Sequence, residues 1–305
     1  MTIVAGYAPD ERGKESVYLA AMLARSAGDE LVVTSVVPAP WMPGMARIDA
    51  EYREHLDRAA DHALERARAV IPDDVTASFV RHSARSAPTG LLEVAEQHGA
   101  NMLVLGSSSA GVFGHVVLGS VTDRLVHSSP ITLALAPRGF RAGPDARVAR
   151  VTAAYGGSSG AEQLVAAAAF VAAQVGAALR IASFAVWSRP DYTTALGTDR
   201  EELVLEEWTT QVTSHARAAL AQVEELATAP RDVELGIGNG PAWADAIEDI
   251  GWAEGDVLVV GSSELGPVAR VFLGSRATMI LRHSPVPVAV VPRGRAEELA
   301  ERARG

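Results

Sequence analysis

The passage Gly106 to Pro137, GSSSAGVFGHVVLGSVTDRLVHSSPITLALAP, recurs from Gly261 to Pro292 as GSSELGPVARVFLGSRATMILRHSPVPVAVVP. Gly106, Gly119, Pro130, Pro137 and Arg138 fall on Gly261, Gly274, Pro285, Pro292 and Arg293 at one constant offset, without a gap. A repeat of that length constrains the chain to two copies of one fold. A length of 305 residues suits two domains of about 150 residues each. The expected division is a first domain over 1–139, a linker over 140–149, a second domain over 150–294 and a charged tail over 295–305 that could form a frayed helix.

Alternation of element types sets the fold class. Thr2 to Gly6 is a short apolar strand, and Glu15 to Ala27 has a helical apolar face stopped by Gly28. Leu31 to Val37 is almost wholly apolar, the habit of a strand buried on both faces of a parallel sheet. Pro38 to Gly44 is a proline-rich loop, Ala50 to Val70 a long helix, Val75 to Val80 a third strand, Gly90 to His98 a third helix and Met102 to Leu105 a fourth strand. The second half repeats the order. Val151 to Tyr155 matches Ile3 to Tyr7, and Leu179 to Val186 matches the second strand, at an offset seven residues smaller than that of the C-terminal repeat. The segment between Trp187 and Asp232 must absorb the difference. Alternating strands and helices predict α/β domains with parallel sheets covered on both faces. Ligands on such sheets sit beyond the strand C-termini, where strand order reverses.

The glycine-rich passage follows the fourth strand. Small residues there let backbone N–H groups approach an anion, and a helix opening on Gly119-Ser120 presents N–H groups at its positive end. Other chemistry is scarce. A net charge of −10 argues against nucleic acid or an anionic membrane surface as partner. The absence of cysteine removes disulfides and thiolate catalysis and fits a reducing cytoplasm. Met1 to Val4 enters a strand without a basic-then-apolar leader, and the apolar run Leu164 to Ala173 is too short to span a bilayer. It reads as an alanine-rich helix facing the core. His55 and His62 are two helical turns apart, too far for one metal, so no metal site is expected. Gly106-Ser107-Ser108-Ser109-Ala110 only approaches a nucleophile elbow. His115, near the glycine loop, is the one histidine worth testing, and no residue stands out as a catalytic base.

The spacing Gly106, Ser109, then nine residues to Gly119-Ser120, repeated as Gly261, Glu264 and Gly274-Ser275, resembles the signature of the universal stress protein family in its tandem two-domain form. That resemblance spans Thr2 to Arg293. It implies Rossmann-like domains with five parallel strands in the order 3-2-1-4-5. It also implies a cytoplasmic stress-response protein that holds ATP, with Mg²⁺ accompanying it, and turns it over little or not at all. Carried over, the first nucleotide pocket would comprise Ala5, Gly6, Tyr7, Val36, Leu105, Gly106, Ser109, Gly119, Ser120, Val121 and Thr122. A weaker second site would comprise Tyr155, Val260, Gly261, Gly274 and Ser275.

The chain departs from the family pattern. Tyrosine stands at positions 7 and 155, where the family usually has aspartate, and could stack on a base or simply fill the pocket. The second glycine of the signature is Ser109 in one half and Glu264 in the other. A glutamate beside a triphosphate costs about 4 kcal/mol for a close pair at an effective dielectric of 20, which Arg276 could offset. The first half is therefore expected to suit nucleotide better. Two alternatives stay open: a nucleotide-free protein acting through an unidentified protein partner, and a slow ATPase. The apolar strands Ile131 to Ala136 and Val286 to Val291 need cover. In the resembling family such strands pair antiparallel across a two-fold axis. Here they are expected to pair with each other, with Pro287 placed where the ladder needs no donor, and a further homodimer is left open.

Overall fold

The computed structural model describes residues 1–8, 13–39, 46–108, 113–156, 160–187, 210, 213–214, 216–230, 232–264 and 271–305. The first half runs β1 (Thr2–Gly6), α1 (Lys14–Ala27), β2 (Glu30–Pro38), α2 (Ala46–Arg68), β3 (Ala77–Ala84), α3 (Ala87–Gln97), β4 (Met102–Gly106), α4 (Ser120–Val126) and β5 (Thr132–Ala136). The second runs β6 (Arg150–Ala154), α5 (Ala161–Val175), β7 (Ala178–Val186), a helix α6 described over 216–224, β8 (Val233–Gly240), α7 (Trp243–Asp249) and β9 (Asp256–Gly261). It ends with β10 (Ser263–Glu264), β11 (Val271–Phe272), α8 (Ser275–His283), β12 (Val288–Val291) and α9 (Arg293–Arg304).

Ten strands form one sheet in the order β3-β2-β1-β4-β5-β12-β9-β6-β7-β8. Each half is therefore a parallel 3-2-1-4-5 sheet, and the halves meet edge to edge. At the seam β12 pairs with β5 antiparallel, Val288 opposite Leu135, Ala289 opposite Ala134 and Val290 opposite Leu133. Pro287 sits one residue before β12 and contributes its carbonyl, which accepts from Leu258 N–H at 2.9 Å. The proline thus caps the strand where its missing donor costs nothing.

The apolar patterns explain the layers. The central residues of β1 and all of β5 and β12 are buried, as continuous apolar runs require of strands covered on both sides. The outermost strands, β3 and β8, instead alternate toward solvent. The third strand lies two residues later than expected and runs on through Arg81, His82 and Ser83, because an edge strand needs apolar residues on one face only. Val75 ends up buried in the turn before it, its N–H bonded to Pro72 O. The third helix opens earlier than expected, with Ser86 Oγ accepting from Thr89 N–H at 3.3 Å.

The C-terminal stretch is not a frayed tail. Ala296, Ala300 and Ala303 repeat at helical spacing, are buried, and lay α9 along α5. Helix α5 is alanine-rich with buried residues around much of its circumference, so covering it takes both the sheet and a second helix. The small side chains of both helices permit the close approach.

Candidate functional site

The carboxyl ends of β6 and β9 diverge toward different neighbours, and a cavity of about 410 Å³ opens beyond them. Its lining includes Tyr155, Val260, Gly261, Gly274 and Ser275, the whole of the second set expected from the sequence. Tyr155 follows β6, with its N–H bonded to Ala182 O at 2.7 Å and its carbonyl accepting from Ser183 Oγ at 2.9 Å. Burial, then the charge of Glu162, raises its phenol above the ordinary tyrosine range, so the hydroxyl stays a neutral donor. Gly274 caps α8, and a Cβ added there would meet nothing within 4 Å. The backbone at that helix start is therefore open to the cavity.

Four further lining residues escaped the sequence reading as site members: Phe184, Trp243, Arg293 and Gln163. Phe184 is the seventh residue of β7, as Val36 is of β2, so the repeat itself could have found it. Arg293 stands at the repeat position of Arg138 and also pairs with Glu297 at 2.9 Å. Gln163 Oε1 is buried without a hydrogen-bond partner among the described residues. Trp243 opens α7, in a stretch where the repeat offset drifts, and nothing in the sequence marked it. Arg276, noted only as a departure from the family pattern, also lines the cavity. Among the described residues, two arginines and no carboxylate line this volume, in a chain whose net charge is −10. The arrangement can hold an anion with an aromatic or apolar body. Among the described residues no lining side chain is placed as a general base.

The first set of residues is arranged differently. Ala5, Tyr7, Leu105 and Thr122 are buried, Gly6, Val36, Gly106, Gly119 and Val121 half-buried, and Ser120 exposed, while Ser109 lies outside the described residues. A Cβ placed on Gly6 would come within 2.9 Å of both Leu91 and Leu105, so leucine side chains fill the space over the end of β1. Tyr7 is 2% exposed and its hydroxyl has no hydrogen-bond partner among the described residues. Ser107 Oγ donates to Ala136 O at 2.7 Å and accepts from Val117 N–H at 3.1 Å, fastening the loop to β5. The cavity at this end of the first domain is displaced toward α1. Its described lining includes Lys14, Tyr18, Ser107, Phe113 and Arg138 but none of the eleven expected residues. His115, two residues after Phe113, has Nδ1 buried and without a hydrogen-bond partner among the described residues. Among the described residues, the set that sequence reasoning ranks second lines the cavity beyond β6 and β9, and the first set lines none of the cavity beside α1. The Glu264 side chain, and with it the suggested pairing to Arg276, lies outside the described residues.

Among the described residues no group of three His, Cys, Asp or Glu could hold a metal, and no helix is long and apolar enough to cross a membrane.

The fold agrees with what the chain resembles. The universal stress protein family model matches it twice, over residues 1–137 and 148–292. Proteins of Mycobacterium bovis and Mycobacterium tuberculosis, named universal stress proteins Mb2346c and Rv2319c, are 38% identical over 296 residues, covering 96% of this chain and 100% of each relative. A universal stress protein structure from Archaeoglobus fulgidus matches with a TM-score of 0.55 at 20% identity, covering 96% of this chain and 98% of that one. One from Pseudomonas aeruginosa matches with a TM-score of 0.56 at 13% identity, covering 100% and 98%. Two family matches in tandem, and relatives aligned over nearly the full length, make this chain a member of the universal stress protein family.

Proposed function

We propose that this protein is a nucleotide-holding stress protein whose second-domain cavity binds an adenine nucleotide, ATP with its Mg²⁺, without rapid turnover. The observation that carries the reading is one volume of about 410 Å³ lined by the three aromatic rings of Tyr155, Phe184 and Trp243, the glycine start of α8 and the side chains of Arg276 and Arg293. Aromatic faces suit a purine, while helix-start N–H groups and arginines suit phosphates. Retention rather than hydrolysis is favoured because, among the described residues, no carboxylate or histidine lines the volume to position a water.

Thermal unfolding with and without millimolar Mg²⁺-ATP tests this, since a ligand that binds the folded state must raise its stability. The wild-type melting temperature should rise. Gly274→Glu puts a carboxylate at the helix start without a steric clash and should abolish the rise. Gly119→Glu, the same change in the first domain, should leave it intact. If the rise survives Gly274→Glu and is lost in Gly119→Glu, the site is in the first domain. If wild-type protein shows no rise, the nucleotide reading fails.

A further inference from the structure

A second cavity, of about 300 Å³, crosses the seam between the halves, on the face of the sheet covered by α1 and α5. Its floor includes Ala134 of β5 and Ala289 of β12, which lie side by side in the antiparallel register. On the opposite face the same two strands carry Leu133, Leu135, Val288 and Val290, which fill their space. The slot therefore has a cause in the sequence: small residues at the seam, on one face only. Leu19 and Leu23 of α1 form one wall, and Phe170 and Val171 of α5 the other. Val171 is an exposed large apolar side chain, at 36% relative exposure.

Helix α9 supplies the polar part. Arg295, Leu299 and Arg302 follow at helical spacing and all line the slot. Both arginines bond to one carboxylate, that of Glu298, whose hydrogen bond to Arg295 holds it below the ordinary carboxylate range. Asp29, the lining carboxylate, is paired with the Met1 amino group at 3.1 Å. Among the described residues the slot is thus left with one positive charge in excess. An apolar volume of this size with a few convergent polar groups has the character of a small-molecule site.

We propose that the seam slot binds a single-chain amphipathic anion, its aliphatic tail over Ala134 and Ala289 and its acidic head group at Arg295 and Arg302. A fatty carboxylate and a monoalkyl phosphate share this chemistry. The site is separate from the strand-end cavity and does not depend on nucleotide binding.

Isothermal titration calorimetry of the full chain tests it, using straight-chain carboxylates from octanoate to dodecanoate below their micelle concentrations. Monododecyl phosphate, dodecanol and dodecyltrimethylammonium serve as head-group comparators. Each added methylene should tighten binding about fourfold until the slot is full. Carboxylate or phosphate should bind at least tenfold more tightly than alcohol, and the ammonium should bind weakest. Whichever anion binds more tightly identifies the head group. Val171→Trp, at a half-open position, should block the slot, and Arg302→Glu should reverse the order of anion and cation while leaving tail-length dependence in place. Circular dichroism establishes that each variant is folded. Absence of saturable binding to wild-type protein, binding unchanged in Val171→Trp, or a cation bound as tightly as an anion overturns the proposal. So does sedimentation showing a dimer that the alkyl anions dissociate, which would assign the slot to a second copy.

Discussion

The two halves share one topology and one glycine signature, yet among the described residues the two expected residue sets are packed differently. In the second domain Ala154 ends β6 and Val260 stands in β9, and both line open space. In the first, Leu105 is one carbon longer than Val260, and together with Leu91 it closes over Gly6. The edge strands add a second difference. Cβ atoms on Gly238 and Gly240 would come within 1.9 Å of Ala246 O and 2.5 Å of Asp245 Cβ, so α7 lies directly on the backbone of β8. The register partner of Val36 in β3 is His82, whose Nε2 lies 2.6 Å from Glu93 of α3, so α3 is held by side chains rather than by backbone contact. A glycine motif therefore creates the possibility of an anion site, while the volume beside it is set by residues outside the motif.

The largest expected effect comes from opening the closed crevice. Leu91→Ala removes a side chain that is 4% exposed, and should cost about 2–5 kcal/mol in urea unfolding. If Leu91 is the plug, the variant should also gain space over Gly6, visible as a small apolar probe such as benzene binding to the variant alone. A loss below 1 kcal/mol would mean that the crevice is not closed by this contact.

Disturbing the open crevice should cost less. Gly238→Ala forces a methyl group against Ala246 O, an overpacking change worth about 1–3 kcal/mol. Because α7 must lift, Trp243 should move, and nucleotide-dependent stabilisation should weaken with it. His82→Ala, at the corresponding place in the first half, should leave that stabilisation unchanged. Equal responses of nucleotide stabilisation to the two substitutions would remove the distinction between the edges.

A smaller effect concerns acid. In the second domain Glu234 lies between Arg180 at 2.6 Å and Arg150 at 2.8 Å, and Arg150 also holds the buried Asp256. Burial raises the Glu234 pKa, but the two guanidinium groups outweigh it and leave the group below its ordinary value. A depressed folded-state pKa adds stability that is present above the unfolded value, about 4.3, and is lost as pH falls through the folded value. With Glu234 about half exposed, the contribution should be about 1 kcal/mol or less. Glu234→Gln should therefore flatten the fall in stability below about pH 4.3 and change little at pH 7. A steeper fall in the variant would reverse the assignment.

The smallest effect contrasts the two tyrosines. Tyr7 buries a hydroxyl without a partner among the described residues, so Tyr7→Phe should be neutral or stabilise by up to about 1 kcal/mol. Tyr155→Phe, facing the open cavity, should leave stability unchanged and be seen only in ligand binding. Destabilisation by Tyr7→Phe would reveal a partner for that hydroxyl.

Most of the fold was legible in residue order. The repeat, the apolar strands and the glycine stops at Gly28 and Gly176 place two parallel-sheet units, because backbone conformation and burial on both faces are local properties of short segments. The strands Thr132–Ala136 and Val288–Val291 also pair with each other, which covers their apolar edges. The site was legible only in outline. Tyr155, Val260, Gly261, Gly274 and Ser275, named through the repeat and the resemblance, all line the second-domain cavity, whereas Trp243 was not named, since its place depends on how closely α7 approaches β8.

By itself, then, the sequence determined the element order, the duplication and the need of the last strands for cover, all of which follow from periodicity and from apolar runs, while their pairing with each other was what the family resemblance implied. The tertiary structure decided which crevice stays open, that α9 packs on α5, and that alanines at the seam leave a slot. These outcomes depend on differences of one or two carbons between side chains distant in sequence, and close packing turns such differences into filled or open volume.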